Sequence, residues 1–217
     1  MVEHVHRRAV AAARVDAVVV ATDDARVADV VSAFGGLAVM TRGDHATGTD
    51  RLAEVADALQ GEIVVNVQGD EPMMTAAAID AAVALLSSRP DDMMATLRRR
   101  VTDMADLDNP SVVKLVADAA GYALYFSRSA IPFVRPGHPA PTFWRHLGLY
   151  AYRREFLATL SGLSPTPLEQ AEGLEQLRAL EHGFRISTAE TLADTIGVDT
   201  PEDLERVRQL VAAGAST

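Results

Sequence analysis

Two carboxylates in this sequence, Asp70 and Asp199, lie where a predicted strand ends and where a predicted helix begins. Asp70 follows the apolar, β-branched run 63–67, which is typical of a buried strand, and Gly69 lets the chain turn before it. Asp199 directly precedes Thr200, the predicted cap of the last helix. Mg²⁺ is often bound by one or two carboxylates together with substrate phosphates, so this pair predicts a magnesium site. A polar corner after a strand, and an acid that favours a helix dipole, explain the same residues without a metal.

A second group of polar side chains alternates along the run 143–152. If this run is a strand, His146, Gly148, Tyr150 and Tyr152 share one face. Each of the three ring side chains offers a polar tip, which suits a ligand with many hydroxyl groups. A histidine packed in the core beside tyrosines is the alternative.

Glu172, Glu175 and Gln176 have the spacing of neighbours on one face of a helix, which we predict from about residue 165 or 167 to residue 182. They could bind hydroxyl groups or form a solvated surface. Arg128 ends the apolar run 123–127 with a fixed positive charge. Arginine suits bidentate binding of a carboxylate, although an ordinary surface arginine has the same pattern.

The loop 42–51 leads into a helix predicted over about 50–59. Thr47 or Thr49 could cap this helix, whose free backbone N–H groups also suit a ligand. Capping explains the threonines, but it does not explain the neighbouring Gly48 and Arg51.

These residues depend on an alternation of strands and helices. Strands are predicted at 17–22, 37–41, 63–67 and 94–101, with helices between them, so a parallel sheet covered on both faces is expected. From about 110 to 155 the strand-like runs follow one another without long helices, which predicts an antiparallel excursion of the kind that forms a lid or a dimer interface. We expect one domain over 1–217.

Composition excludes several classes of function. The 217 residues contain no cysteine, which excludes thiol chemistry and favours a cytoplasmic enzyme, and a formal charge of −10 argues against general nucleic-acid binding. No apolar run is long enough to span a bilayer. The motifs of P-loop, dinucleotide-binding, zinc-protease and α/β-hydrolase sites are not in the sequence.

Taken together, these stretches resemble the 3-deoxy-manno-octulosonate (KDO) cytidylyltransferase family, also called CMP-KDO synthetase. The resemblance covers almost the whole chain, in order and with similar spacing. The matching stretches are Val20-Ala21-Thr22-Asp23, Met40-Thr41-Arg42, Gly48-Thr49-Asp50-Arg51-Leu52-Ala53-Glu54-Val55, Asn66-Val67-Gln68-Gly69-Asp70-Glu71-Pro72, Ala123-Leu124-Tyr125-Phe126-Ser127-Arg128, Arg145-His146-Leu147-Gly148-Leu149-Tyr150, Pro167-Leu168-Glu169, Leu174-Glu175-Gln176-Leu177-Arg178 and Gly197-Val198-Asp199-Thr200-Pro201-Glu202-Asp203-Leu204.

The resemblance implies a Rossmann-like nucleotidyltransferase fold of the nucleotide-diphospho-sugar transferase type. This is a three-layer α/β sandwich with a mostly parallel sheet and an antiparallel excursion that helps form a homodimer. It implies that CTP and KDO are joined to give CMP-KDO and pyrophosphate for lipopolysaccharide biosynthesis, with Mg²⁺ as cofactor.

The resemblance also assigns residues. Asp70 and Asp199 match the magnesium ligands, and these two aspartates and Arg128 are expected to act in catalysis. Residues that match the cytidine side are Arg42, Gly48, Thr49 and Gln68. Those that match the sugar-acid pocket are Arg128, His146, Tyr150, Glu175 and Gln176, to which Glu172 is added from its helical spacing.

One part of the family pattern is not found in this sequence. The family opens with a strand and a loop of the form Pro-Ala-Arg-x-x-Ser-x-Arg-Leu-Pro-Gly-Lys-Pro-Leu, which holds the CTP phosphates, and Met1 aligns within the helix that follows it. Without that loop we expect weakened triphosphate binding. Two alternatives therefore stay open: another sugar-acid cytidylyltransferase of the sialic-acid type, and an inactive remnant that folds and binds or dimerises.

Overall fold

The apolar, β-branched runs of the sequence form strands in the computed structural model, which describes residues 1–45, 47–56, 58–198 and 200–212. The strands are β1 (Val19–Thr22), β2 (Leu37–Met40), β3 (Ile63–Val67), β4 (Met94–Arg100), β5 (Lys114–Ala117), β6 (Ala123–Ser127), β7 (Trp144–Arg153) and β8 (Ile186–Glu190). The helices are α1 (Val2–Val10), α2 (Ala25–Ala33), α3 (Gly48–Ala56), α4 (Ala76–Ser87), α5 (Ala105–Asp108), α6 (Arg154–Ser161), α7 (Pro167–Glu172), α8 (Gln176–Glu181) and α9 (Pro201–Ala212).

Two sheets contain these strands. β1 and β2 pair in parallel, and the other six strands form a sheet in which β7 has neighbours on both edges. Strands β3, β4 and β5 each pair antiparallel with β7, and β8 pairs in parallel with β4, so these four strands run in one direction. Only β6 and β7 oppose them within this sheet. The mixed α/β fold with a mostly parallel sheet and an antiparallel excursion is therefore confirmed.

The two faces of β7 bury different layers because its side chains alternate. Leu147, Leu149 and Ala151 pack with α1 and α4 in one apolar cluster. Tyr152, on the opposite face, packs in a second cluster with α6 and α8. The sheet thus lies between two helical layers, as the sequence predicts. Within the described ranges, no helix is both long and apolar enough to span a membrane.

The prediction of a single long helix up to residue 182 is wrong. The structure has two short helices, α7 and α8, because Gly173 adopts the left-handed conformation (φ 61°) that ends α7. Glu172 is the last residue of α7 and Gln176 the first of α8. The expected common helical face for Glu172, Glu175 and Gln176 therefore does not exist.

Candidate active site

A gap between two strands creates the main cleft. On the edge of β7 opposite β4, β5 pairs with Trp144 and Arg145, whereas β3 pairs with the segment Leu149–Arg153. His146, Leu147 and Gly148 lie between these two pairings. A cleft of about 500 Å³ opens there, between the carboxyl end of β3 and the start of β5.

Most of the predicted site residues line this one cleft, although they come from five separate parts of the chain. Its lining includes Gly48, Thr49, Gln68, Asp70, Arg128, His146, Tyr150, Glu175 and Gln176. The shared face predicted for β7 is present as well, since Gly148 and Tyr152 also line the cleft.

The ring side chains of β7 form a packed, uncharged wall. The His146 ring centroid lies 5.2 Å from that of Tyr150 and 5.1 Å from that of Phe126, and Tyr150 stacks on Tyr152 at 5.9 Å. Burial lowers the pKa of His146 to about 3. Burial, followed by the neighbouring Tyr152 and Glu175, raises the pKa of Tyr150 well above its usual value. At neutral pH this wall therefore offers neutral hydrogen-bonding groups.

Two buried polar atoms, one on β7 and one on α8, have no hydrogen-bond partner among the residues that the structure describes. They are the Tyr150 hydroxyl oxygen and the Gln176 Nε2 atom, and Gln176 is only 7% exposed. Buried polar groups are normally paired, and an unpaired one costs about 1–3 kcal/mol. A ligand with several hydroxyl groups would supply the missing partners.

The N-terminus of α3 closes another side of the cleft. The Thr47 hydroxyl caps the helix by accepting from the Asp50 N–H (3.2 Å). Thr49 is therefore not needed as a cap, and its hydroxyl donates instead to Glu175 Oε2 (2.7 Å). This bond joins α3 to the turn before α8.

Arg128 is held in place by Glu172 and by the Pro110 carbonyl. Its N–H donates to Glu172 Oε2 (2.8 Å), its Nε donates to the Glu172 carbonyl (2.7 Å), and its Nη1 donates to the Pro110 carbonyl (3.0 Å). The Ser127 hydroxyl donates to the same Glu172 carboxylate (2.6 Å). Burial raises the pKa of Glu172, but these hydrogen bonds outweigh it and the net pKa is lowered.

Lys114 binds the backbone of Arg128, and its role near the cleft was not predicted from the sequence. Its side chain is 0% exposed, and its Nζ donates to the carbonyls of Asn109 (2.8 Å) and Arg128 (2.5 Å). Burial, followed by the Arg128 charge, lowers the pKa of Lys114. The buried ammonium group of Lys114 thus holds the backbone of Arg128 in position.

Asp70 lies at the mouth of the cleft, in the turn that follows β3. Its side chain is exposed, its neighbour Glu71 also lines the cleft, and the Val198 N–H donates to the Asp70 carbonyl (2.9 Å). An exposed carboxylate beside polar groups is a suitable oxygen ligand for Mg²⁺. The predicted second ligand, Asp199, lies outside the described residues, so the pairing stays a prediction.

Two predicted site residues are placed elsewhere. Arg42 is exposed, pairs with Asp44 (3.6 Å) and Glu54 (3.8 Å), and is not among the described residues that line the cleft. Glu172 is likewise outside that lining and contacts Arg128 instead. Glu172 therefore acts on the cleft through Arg128.

Several residues that line the cleft were not predicted from the sequence. Asn66 is the one polar residue of β3, and this interruption of an apolar run was an available signal. Gly197 gave no such signal. A Cβ at Gly148 or at Gly197 would lie 3.6 Å from Glu71 Oε1, so both glycines leave room for that carboxylate.

Comparisons with known proteins agree with this geometry. The family described as cytidylyltransferase matches residues 1–187. A 3-deoxy-manno-octulosonate cytidylyltransferase of Solibacter usitatus is 51% identical, over 98% of this chain and 84% of that protein. One of Geobacter sulfurreducens is 52% identical, over 95% of this chain and 87% of that protein.

Solved structures give the same result. The structure of a CMP:2-keto-3-deoxy-manno-octonic acid synthetase complexed with CTP superposes with a TM-score of 0.93 and 45% identity, over 98% of this chain and 88% of that one. A cytidylyltransferase of Leptospira borgpetersenii, at 14% identity and a TM-score of 0.62, shares the fold over 98% of this chain and 75% of its own.

Proposed function

The chain belongs to the 3-deoxy-manno-octulosonate cytidylyltransferase family, and on that premise we propose that it activates KDO with CTP, giving CMP-KDO and pyrophosphate. The observation that supports this most is the cleft itself. It brings an arginine, a neutral histidine, a tyrosine hydroxyl and a glutamine amide to one space beside an exposed carboxylate. A sugar acid needs such groups, since it presents one carboxylate and many hydroxyls.

In the proposed reaction the anomeric hydroxyl oxygen of KDO attacks the α-phosphorus of CTP. A bond forms between these atoms, the bond from the α-phosphorus to the oxygen bridging to the β-phosphate breaks, and pyrophosphate leaves while the hydroxyl proton is lost. Such a transfer depends on positioning and on neutralising phosphate charge. Arg128, rigidly held by Glu172 and Lys114, is placed to bind the sugar carboxylate.

Asp70, together with Asp199, would hold Mg²⁺ in this proposal. When bound, the ion would neutralise charge on the phosphate oxygens. Gly48 and Thr49 at the start of α3, with Gln68 after β3, would form the cytidine side of the cleft, and Arg42 would contribute from the adjoining loop.

Further properties belong to the same proposal. The product would enter lipopolysaccharide biosynthesis in the cytoplasm, and the chain would act as a homodimer through its antiparallel region. The exposed apolar side chains of Phe133 and Leu124, at 85% and 61% exposure, support an interface there. Analytical ultracentrifugation would test the dimer.

Pyrophosphate release tests the reaction. With CTP, Mg²⁺ and KDO we expect release above the background without sugar, and much less release when sialic acid replaces KDO. The same assay is also run with a variant extended at its N-terminus by the family's phosphate-binding segment. Failure of both forms to release pyrophosphate with KDO would refute the proposed activity, and a preference for sialic acid would reassign the substrate.

A further inference from the structure

A fully buried threonine lies directly behind the histidine of the cleft. Thr96 of β4 is 0% exposed and pairs with Tyr150, whereas the next residue, Leu97, pairs with Leu147. Gly148 and Leu149 of β7 are therefore extra residues that form a bulge. The Thr96 side chain points into this bulge and has three polar neighbours there.

The distances around the Thr96 hydroxyl decide how its hydrogen atom is used. Thr96 Oγ1 lies 2.7 Å from the Leu149 carbonyl oxygen and 3.3 Å from the Leu147 carbonyl oxygen. Carbonyl oxygens only accept, so the single hydroxyl hydrogen must point to them, and chiefly to Leu149. Turning that hydrogen elsewhere would leave two oxygen atoms 2.7 Å apart with no hydrogen between them.

The third neighbour of the hydroxyl is His146 Nε2, at 2.9 Å. Since the Thr96 hydrogen is already used, the oxygen can only accept from this nitrogen. His146 must then carry its hydrogen on Nε2. Burial, which lowers the pKa of His146 to about 3, keeps the ring neutral, so Nδ1 has a free lone pair.

The ring is also prevented from turning. Phe126 meets it edge-on at 5.1 Å and Tyr150 packs against it at 5.2 Å. Across the described ranges of the chain, no hydrogen bond involves Nδ1, and His146 lines the cleft. Nδ1 is thus the ring nitrogen left for a ligand.

We propose that Thr96 is a positioning residue that fixes His146 as the Nε2–H tautomer and makes its Nδ1 an acceptor for a hydroxyl group of the bound sugar acid. The identity of the ligand rests on the proposed function, whereas the tautomer does not. The consequence is chemical selectivity at one point of the cleft. A hydroxyl that donates to Nδ1 is preferred, and an analogue that has hydrogen or an acceptor at that point is disfavoured.

The tautomer is tested on the chain without ligand, by ¹⁵N NMR of its histidine side chains. The chain has six histidines, and the His146 signals are those absent from a His146→Gln variant. We expect a protonated-type resonance for Nε2 and an unprotonated-type resonance for Nδ1. Thr96→Ser, which keeps the hydroxyl, should preserve this pattern, and Thr96→Val, which matches the shape of threonine without the hydroxyl, should raise the population of the Nδ1–H form. A wild-type ring protonated on Nδ1 would overturn the proposal whether or not the valine variant folds.

The hydroxyl contact is tested by adding KDO to the wild-type chain. On binding, the Nδ1 resonance should move while the Nε2 resonance stays, and Thr96→Val should bind KDO about fivefold more weakly, the loss of one neutral hydrogen bond. KDO that binds without moving Nδ1 would overturn this part. A chain that does not bind KDO at all would contradict the proposed function, and the ligand-free spectrum would still decide the tautomer.

Discussion

A buried ion pair joins α7 to α8, the short helix that begins at Gln176 directly after Glu175, and breaking this pair should have a large effect. Arg178 of α8 donates from Nε to Glu169 Oε2 (2.8 Å) and from Nη2 to Glu169 Oε1 (2.6 Å). Both residues are nearly inaccessible, at 6% and 7% exposure. The pair connects the helices on either side of the turn at Gly173 and so holds the start of α8 in position. We therefore choose Arg178→Met, which keeps the length of the side chain and removes its charge.

The expected loss follows from leaving one carboxylate buried without its cation. Removing one partner of a buried pair typically costs about 3–5 kcal/mol. Glu169 keeps a second donor, the Thr166 N–H at 3.2 Å, which favours the lower part of this range. For a chain of this size, each kcal/mol lowers the melting temperature by about 2–4 °C, so a drop of about 6–20 °C is expected. KDO binding should weaken as well, because Gln176 starts the same helix.

Thermal unfolding followed by circular dichroism measures this drop. The matched control is Arg208→Met on α9. This arginine is exposed and forms a long ion pair of 3.8 Å with Glu205, so we expect the free energy of unfolding to change by less than about 0.5 kcal/mol. Burial raises the pKa of Glu169, but the hydrogen bonds to its carboxylate, chiefly from Arg178, outweigh burial and the net pKa is lowered. The stabilisation by the ion pair is therefore present at neutral pH and is lost as the pH falls through that lowered pKa. The difference between wild type and Arg178→Met should therefore shrink in acid. A melting temperature as little changed as that of the control would refute this reasoning.

Three further predictions concern the cleft. Asp70→Asn should abolish pyrophosphate release and leave KDO binding intact, as measured by titration; near-normal turnover would refute the metal role. Glu172→Gln should weaken KDO binding about tenfold, because Ser127 and Arg128 donate to different carboxylate oxygens and glutamine replaces one of these oxygens with a donor NH₂ group. Unchanged affinity would mean that Glu172 does not position Arg128. The pKa of His146 is about 3 in the folded chain and 6.5 in an ordinary histidine, so the unfolded chain binds a proton first as the pH falls. The free energy of unfolding should therefore decrease below about pH 6.5, by up to about 1.4 kcal/mol per pH unit. Urea unfolding at pH 7 and pH 5 should show this loss in wild type and less of it in His146→Gln; equal losses would contradict a buried neutral ring.

Much of the site was predictable because it depends on short sequence periods. The run 143–152 alternates, so its residues divide between two faces, and His146 and Tyr150 share the face that lines the cleft. The apolar run that ends before Asp70 is likewise visible without a structure. The region in which α3 begins was also predictable, since Thr47 and Thr49 both suit a helix N-cap, although the structure uses Thr47 and the helix begins about two residues before the predicted start.

Other features depend on contacts between distant segments and could not be predicted. A glycine inside an amphipathic pattern is often tolerated, so the pattern around Gly173 favoured one helix where the structure has two. Lys114 lies within a strand, and its burial requires that carbonyls of two loops converge on its ammonium. The cleft exists because β7 has β4 on one edge and both β3 and β5, which are separated by a gap, on the other. This order of strands in the sheet is not specified by local sequence patterns.

Calorimetric titration with KDO measures whether this cleft binds the sugar acid. Gln176→Leu removes the buried amide whose Nε2 atom has no partner in the described part of the chain, and Gln209→Leu makes the same change on the exposed face of α9. We predict that wild type and Gln209→Leu bind one KDO per chain with equal affinity, and that Gln176→Leu binds it at least about tenfold more weakly. Equal affinities for all three proteins, or no binding by any of them, would contradict the assignment of this cleft.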